Sequence, residues 1–562
     1  MKNIRGEIKS QIDNLIKGAF DSCFQGVDFP ENYVIETPKE KSHGDYSANI
    51  AMLLAKPAKK APRMVAEEMV SKMDLSGTYI EKIEIAGPGF INFFLNGKQR
   101  DAIMMAISTE NEDYGKSDYL KGQKIMVEFV SANPTGPMHM GNARGGALGD
   151  SLAAVLSYAG ADVTREFYLN DAGAQIVKLS KSLEARFQQH YLGEENFEFP
   201  EDGYHGKDII THVENFISEN GDKYRDMPED ERKKAMTDYV LEKNIKALHT
   251  DLSAYKINYD VWFPESDLYK SGEVEETIEY LKNTDYTYEK DGALWLKTSA
   301  LDPEIDKDDV LVRNTGIPTY FAVDIAYHRN KFVVRGFDKV INVWGADHHG
   351  HVARMKCAME AVGVSPDRLH VVLMQLVRLM QDGEVVRISK RTGNMITLND
   401  LVEEIGLEPA RFFFNLRQAE SHLEFDLDLA KSQTNENPVF YVQYAHARIC
   451  SILRVMETEG VTLNTPDKID FSLLKAPEEL ELIDKLGAFP EEIIEAAKHY
   501  DPSRLTRYAM DLASLFHSFY NSCHIKGEAK DLMQARLSLA KAVKTVLASD
   551  LGILGVDAPE RM

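Results

Sequence analysis

The sequence predicts a multidomain protein built around an α/β parallel sheet, preceded by a small α+β domain and followed by an all-α helical bundle. Three observations carry that prediction. From Lys124 the chain runs apolar strand (IMVEFVSA), turn-rich loop (NPTGP), small-residue helix (MHMGNARGGALGDSLAAVLSYAG) and second strand (ADVTREFYLNDAG), which is the opening of a parallel α/β unit. The same pattern resumes in PTYFAVDIAYHRNKF, KVINVWGADHHGHVARMKCAMEAVG and RLHVVLMQLV. Beyond Asn435 the apolar periodicity is almost entirely helical. A chain of 562 residues is also too long for one core and divides into three or four domains of ordinary size.

The first domain, residues 1–113, begins with helical periodicity. It closes on IEKIEIAGPGFINFFL, where an Ala-Gly-Pro-Gly turn between alternating apolar residues predicts a hairpin. Residues 114–434 form the α/β domain. Within it, about 181–297 is charged and helical, with acidic clusters such as EENFEFPEDG, and reads as a solvated insertion between the two halves of the sheet. Residues 435–562 form the helical domain. There Asp501 is the expected N-cap and Pro502 the first helical residue of a helix whose Leu505, Tyr508, Leu512, Leu515, Phe516 and Phe519 share one face.

Composition narrows the function classes. Hydrophobic residues at 44% and charged residues at 27% match a globular protein. No run approaches the roughly 20 apolar residues of a membrane span, and the first twenty residues lack the apolar stretch of a signal peptide, so a cytoplasmic location is expected. Cys23, Cys357, Cys450 and Cys523 are scattered without a CxxC pair, which predicts reduced thiols and no zinc site. A net charge of −24 excludes a protein coated in nucleic acid but allows an enzyme that holds RNA on local basic strips.

Two loops carry chemistry. In Asn133-Pro134-Thr135-Gly136-Pro137-Met138-His139-Met140-Gly141-Asn142, a strand gives way to a helix N-terminus, where free N–H groups and the helix dipole favour an anion. Gly141 leaves room for a base close to the backbone, and His139 and Asn142 offer donors to phosphate. The glycine spacing fits neither GxGxxG nor a Walker loop; the bland alternative is a Gly/Pro turn with a helix cap. The second loop, Arg387-Ile388-Ser389-Lys390-Arg391-Thr392-Gly393-Asn394, concentrates cations and a hydroxyl suited to a triphosphate, and alone would read as a solvated charged turn.

Taken together, the two loops resemble the HIGH and KMSK signatures of class I aminoacyl-tRNA synthetases, in the expected order. VEFVSANPTGPMHMGNARGGALGD, REFYLNDAGAQI, YDVWFPESDLY, DGALWL, NVWGADHHGHVARMK, SKRTGN, NENPVFYVQYAHARI and the closing LGVDAPERM are similar to bacterial arginyl-tRNA synthetases. The resemblance runs from HGDYSANIA to Met562. Two departures stand out: Asn142 replaces the last His of HIGH, and Arg387-Ile388 replace the Lys-Met of KMSK, giving a RISK loop at 387–390. Asn keeps a donor and Arg keeps the charge, so altered rates rather than lost chemistry are expected.

The resemblance implies a Rossmann-like catalytic domain of the class I type, with an N-terminal domain on the tRNA elbow and a C-terminal anticodon-binding domain. It implies ATP as substrate, Mg²⁺ on the phosphates, L-arginine and tRNA(Arg) as partners, and a monomer. His139, Asn142 and Lys390 would stabilise the phosphates during adenylate formation. Gly141, Gly345, Asp347 and Ser389 would hold ATP, with Asp347 near the ribose. The arginine pocket maps onto Asn133, Tyr320 and Asp324, with Glu128 and Glu265 as further carboxylates. On either a strand or a helix Tyr320 and Asp324 converge; apart from the resemblance they would read as a core tyrosine and a cap or surface charge. Tyr441, Tyr444 and Arg448 would stack on tRNA bases or cement the domain junction. The Asp347-His348-His349-Gly350-His351 run has the ligand types of a metal cluster but no metal-ligand spacing. Two rivals to the ligase reading are a paralogue that adenylates arginine without tRNA and a non-catalytic RNA-binding derivative. ATP consumption separates the last from the other two.

Overall fold

A computed structural model describes residues 2–386 and 396–562. The Arg387–Asn394 loop, and with it Ser389 and Lys390, lies outside the described residues.

At the centre is a five-stranded parallel sheet. In chain order its strands are Lys124–Glu128, Asp162–Leu169, Val261–Pro264, Lys339–Gly345 and Leu369–Met374. Their spatial order is third, second, first, fourth, fifth. The order reverses between Lys124–Glu128 and Lys339–Gly345, so the crevice beyond their carboxyl ends is where such a sheet accepts a ligand. The loop after the first strand contains His139, and the turn after the fourth contains Gly345 and Asp347.

The helix Met140–Tyr158 packs on this sheet through small residues. A Cβ at Gly149 would collide with the Phe129 ring, which explains why this helix is rich in Gly and Ala. Arg144, with no exposed surface, donates to the carbonyls of Gln375 at 2.6 Å, Gln418 at 3.1 Å and Ser421 at 3.0 Å. Those bonds lie where RLHVVLMQLV, continuous in its apolar pattern, divides in two. Leu369–Met374 stays in the parallel sheet, while Val377–Gln381 joins a separate sheet with Glu384–Val386 and Leu423–Asp426.

The region expected to be an insertion differs from that expectation. Helices Gly173–Leu192, Lys207–Asn220 and Glu229–Ala254 share their own apolar cluster of Leu179, Leu183, Phe187, Ile209, Val213, Phe216, Met236 and Val240. Val261–Pro264, inside the same charged stretch, is the edge strand of the parallel sheet. Four residues between acidic neighbours carry no periodic signal; pairing with Glu166–Leu169 decides their place. PTYFAVDIAYHR folds as the helix Tyr320–Arg329, capped by the Thr319 hydroxyl.

The N-terminal domain is a four-stranded antiparallel sheet against helices, with Ile80–Ala86 and Phe90–Leu95 forming the expected hairpin. Its first helix buries Ile4, Ile8, Ile12 and Ile16 at four-residue spacing. The C-terminal domain packs Pro438–Thr458, Pro477–His499, Ser503–Ser522 and Lys530–Ile553. The third of these helices starts at Ser503 with Pro502 at the N-cap, one residue later than expected; Asp501 still accepts from the Ser503 N–H at 3.1 Å, and Leu505, Tyr508, Leu512, Phe516 and Phe519 are buried. The four cysteines are free thiols, and three of them are buried. Among the described residues no helix is long and apolar enough to cross a membrane.

Arg411 joins the last domain to the catalytic one. It is fully buried and donates to the Leu554 carbonyl at 2.9 Å, the Tyr255 carbonyl at 3.0 Å and the Asp150 carboxylate at 2.6 Å. A side chain at Gly555 would collide with its guanidinium. Arg411→Met should destabilise the protein by about 3 kcal/mol, because two carbonyls and one oxygen of the partly buried Asp150 carboxylate lose their donor. A urea midpoint equal to wild type would show that this clamp contributes nothing.

Candidate active site

The loop from Phe129 to His139 leaves the sheet through an unusual turn. Val130 and Ser131 have φ values of 69° and 43°, a left-handed conformation that a β-branched residue rarely adopts. Such backbone costs about 1–3 kcal/mol per residue and persists only when its surroundings hold it. Ser131 Oγ donates to Glu128 Oε1 at 3.0 Å and accepts from the Tyr168 N–H at 3.1 Å, which anchors the turn.

His139 precedes the helix Met140–Tyr158, and its N–H donates to Asn142 Oδ1 at 3.0 Å. That bond uses the amide oxygen of Asn142 and leaves its NH₂ to donate elsewhere. The departure from His therefore preserves a donor beside the helix N-terminus. Thr397, just after the second signature loop, pairs with His139, and the Leu398 N–H donates to the Met138 carbonyl at 3.0 Å. The chain just beyond the second signature loop thus meets the first signature segment.

Two cavities flank His139. One of about 720 Å³ is lined by Asn133, Gly136, His139 and Asn142 together with Tyr204 and Lys207 of the helical region that follows the second strand. The other, of about 780 Å³, is lined by His139, Gly141, Leu376, Val377, Leu379 and Val386. Open space lies over Gly141, so a flat group can approach the backbone there. Across the crevice, Asp347 folds back over Gly345, where any Cβ would collide with its carboxylate; Asp347 is itself exposed.

A third cluster is acidic. Tyr320 and Asp324 lie one turn apart on the helix Tyr320–Arg329. The Tyr320 hydroxyl accepts from the Ala174 N–H at 2.9 Å, and its ring and the Glu265 carboxylate both border Gly173. Glu265 is 3% exposed, and its Oε1 meets no hydrogen-bond donor among the described residues. Burial raises the Glu265 pKa above its usual 4.5, and the carboxylates of Asp171 and Asp324 add to the rise against a lowering hydrogen bond from Tyr168. Burial, reinforced by Glu265 and Asp324, also pushes the Tyr168 hydroxyl upward. Asp324 moves the other way. Burial opposes its ionisation, but His328 and His351 bind the carboxylate and hold it well below the usual range. The contacts are His351 Nε2 to Oδ2 at 2.7 Å and His328 Nδ1 to Oδ1 at 3.3 Å. One half-exposed carboxylate held ionised, one buried carboxylate with an oxygen lacking a donor and a tyrosine at the rim suit a cation with several N–H donors.

Glu128, expected among the pocket carboxylates, lies against a buried cation. Its carboxylate pairs with Lys331, which has no exposed surface, and its other oxygen takes the Ser131 hydroxyl. A carboxylate 7% exposed needs such a cation. Asn133 is exposed in the loop cavity, away from those acids in sequence. His351, His328, Tyr168, Lys331 and Asn342 escaped the sequence reading. Only the dense His run at 347–351 hinted at any of them, and its last member serves Asp324.

In the helical domain Tyr441, Tyr444 and Arg448 lie on Pro438–Thr458. Arg448 donates to the Tyr444 hydroxyl at 2.8 Å and its guanidinium lies 4.6 Å from the Tyr520 ring centre. The Tyr441 ring centre is 4.9 Å from that of His517. These residues knit the helix to Ser503–Ser522 while keeping part of each side chain exposed.

Comparison with known proteins accounts for nearly every part of the chain. Residues 6–95 match the family described as arginyl tRNA synthetase N terminal domain. Residues 104–426 match tRNA synthetases class I (R), catalytic domain, and residues 442–562 match DALR anticodon binding domain. An arginine–tRNA ligase of Caldanaerobacter subterraneus subsp. tengcongensis is 58% identical, and one of Acetivibrio thermocellus 56% identical, each over 100% of both chains. The fold is shared with a Thermus thermophilus arginyl-tRNA synthetase at 22% identity, with a TM-score of 0.75 over 98% of this chain and 100% of that one. A strand order that opens a crevice beside the first signature loop, an acidic receptor next to it and full-length identity above half together place this chain in the class I arginyl-tRNA synthetase family.

Proposed function

We propose that the chain is an arginine–tRNA ligase that activates L-arginine with ATP and transfers it to tRNA(Arg), with the acidic cluster as its amino-acid pocket. The observation that carries the substrate is the buried Glu265 Oε1 without a donor, set near an ionised Asp324. A guanidinium supplies five N–H donors and a fixed positive charge. Tyr320 borders the pocket, and Asn133 on the neighbouring loop is assigned to the α-amino or carboxylate end of the substrate.

In the first step an oxygen of the arginine carboxylate attacks the α-phosphorus of ATP. The bond to the bridging oxygen breaks, and pyrophosphate leaves with that electron pair. The protein's part is alignment and charge stabilisation. His139 and the free NH₂ of Asn142 donate to phosphate oxygens at the helix N-terminus. Gly141 admits the adenine against the apolar wall of Leu376, Val377 and Val386, and Gly345 and Asp347 hold the ribose. Lys390 and Ser389 are assigned to the phosphates, and Mg²⁺ bound to the triphosphate would neutralise part of its charge. In the second step a hydroxyl of the terminal tRNA adenosine attacks the arginyl carbonyl and AMP leaves. Tyr441, Tyr444 and Arg448 contact the anticodon arm and the N-terminal domain the elbow. The enzyme acts as a monomer in the cytoplasm.

The deciding experiment is charging of total bacterial tRNA with each of the twenty amino acids in the presence of ATP and Mg²⁺. Arginine alone should be transferred. Arginine-dependent ATP turnover without charging would instead identify a paralogue that does not use tRNA. Lys390→Ala should lower kcat by about 10²–10³ with little change in arginine affinity, as expected for a contact made in the transition state. Asp324→Ala should weaken arginine binding at least tenfold, and unchanged affinity would misplace the pocket.

Proton linkage gives a further expectation. The raised pKa of Glu265 means that the unliganded pocket holds a proton to higher pH than an ordinary carboxylate, whereas the guanidinium favours the ionised form. Arginine binding therefore releases a proton, and affinity should rise with pH through the Glu265 titration and level off above it. Calorimetry at about pH 5 and pH 7.5 measures this. A flat profile in wild type, or the same slope in Glu265→Gln, would exclude Glu265 as the linked group.

A further inference from the structure

Beneath the acidic pocket lies a row of buried polar groups whose donor and acceptor roles follow from one another. Lys331 Nζ faces the Glu128 carboxylate on one side and Asn342 Oδ1 at 3.3 Å on the other, and lies 4.0 Å from the Tyr327 ring centre. Lys331 and Asn342 each have no exposed surface. An ammonium only donates, so the Asn342 atom turned toward it is the carbonyl oxygen. The amide NH₂ of Asn342 then points to His328 Nε2, 2.8 Å away. An NH₂ also only donates, so Nε2 presents its lone pair and the ring proton sits on Nδ1. That Nδ1–H faces Asp324, at 2.8 Å from its carbonyl oxygen and 3.3 Å from its carboxylate.

We infer that Lys331 and Asn342 are positioning residues for amino-acid recognition: by occupying His328 Nε2 with a donor, they keep His328 a neutral Nδ1–H imidazole and so leave the negative charge of Asp324 for the substrate. An imidazolium at His328 would form an ion pair with Asp324 and compete with the guanidinium. The neutral ring orients the carboxylate without neutralising it. Second-layer partners of this type set the tautomer and direction of the groups that touch a ligand. The inference rests on the reading of Asp324 as the guanidinium partner.

The test is Asn342→Asp in the full-length enzyme. The aspartate still accepts from Lys331 but offers His328 Nε2 an acceptor, which makes the ring doubly protonated. The expected result is an arginine KM raised tenfold or more in tRNA charging, an ATP KM changed less than twofold, and a ¹⁵N signal of His328 that moves from the neutral Nδ1–H form to imidazolium. An arginine KM within twofold of wild type in a variant whose His328 has become imidazolium would overturn the proposal, as would equal rises in both KM values. Should Asn342→Asp not fold, the wild-type ¹⁵N spectrum at neutral pH decides alone: an Nε2–H or doubly protonated His328 overturns it. Unchanged arginine KM in Asp324→Asn would instead sink the pocket assignment, which the ¹⁵N measurement does not depend on.

Discussion

The parallel pairing of Lys124–Glu128 with Lys339–Gly345 is the constraint on which the rest of the active site depends. It is the point where strand order reverses, so it opens the crevice that holds both the first signature loop and the Gly345–Asp347 turn. Its register sets Asn342 opposite Glu128. One buried ammonium, Lys331, can therefore serve both side chains. Through Glu128 it supports the strained Val130–Ser131 turn that leads to the first signature loop, and through Asn342 it reaches the His328 side chain beside Asp324. A shift of one residue along that pairing would send Asn342 to the opposite face of the sheet and part the two sites.

Buried cations recur at the places where segments distant in sequence meet. Arg144 gathers three carbonyls around the point where one apolar run divides between two sheets. Arg411 holds the end of the last helix to the catalytic domain. Each guanidinium has lost its water, so its worth lies in geometry. Directed N–H groups specify one arrangement of carbonyls, and any other leaves a buried charge unsatisfied. The acidic pocket inverts that logic. There the carboxylates of Glu265 and Asp324 are assembled in the folded chain, and the complementary cation we propose is the substrate, which would tie affinity to charge and to pH.

Much was legible in the sequence because chemistry at loops is written in contiguous residues. The strand–loop–helix around His139 and Asn142, the Tyr320 and Asp324 spacing, the hairpin at Gly87–Gly89 and the apolar face of Ser503–Ser522 all depend on neighbours within one or two turns of chain. Glu128 shows the limit. Its carboxylate and its place in a family pattern suggested a ligand, but which cation it meets depends on Lys331, some two hundred residues later. Val261–Pro264 shows the same limit for secondary structure, since a four-residue edge strand is defined by its partner alone.

By itself, then, the sequence determined the family, the order of the domains and the residues we propose for phosphate and guanidinium, since motif spacing and helical periodicity are local properties of the chain. Only the tertiary structure decided which charges meet a partner within the chain and which do not: Glu128 meets Lys331, Asp150 meets Arg411, and Glu265 keeps an oxygen free of donors among the described residues. The physical reason is desolvation. The cost of a buried charge depends on what stands within about 3 Å of it, and that neighbour is set by the fold.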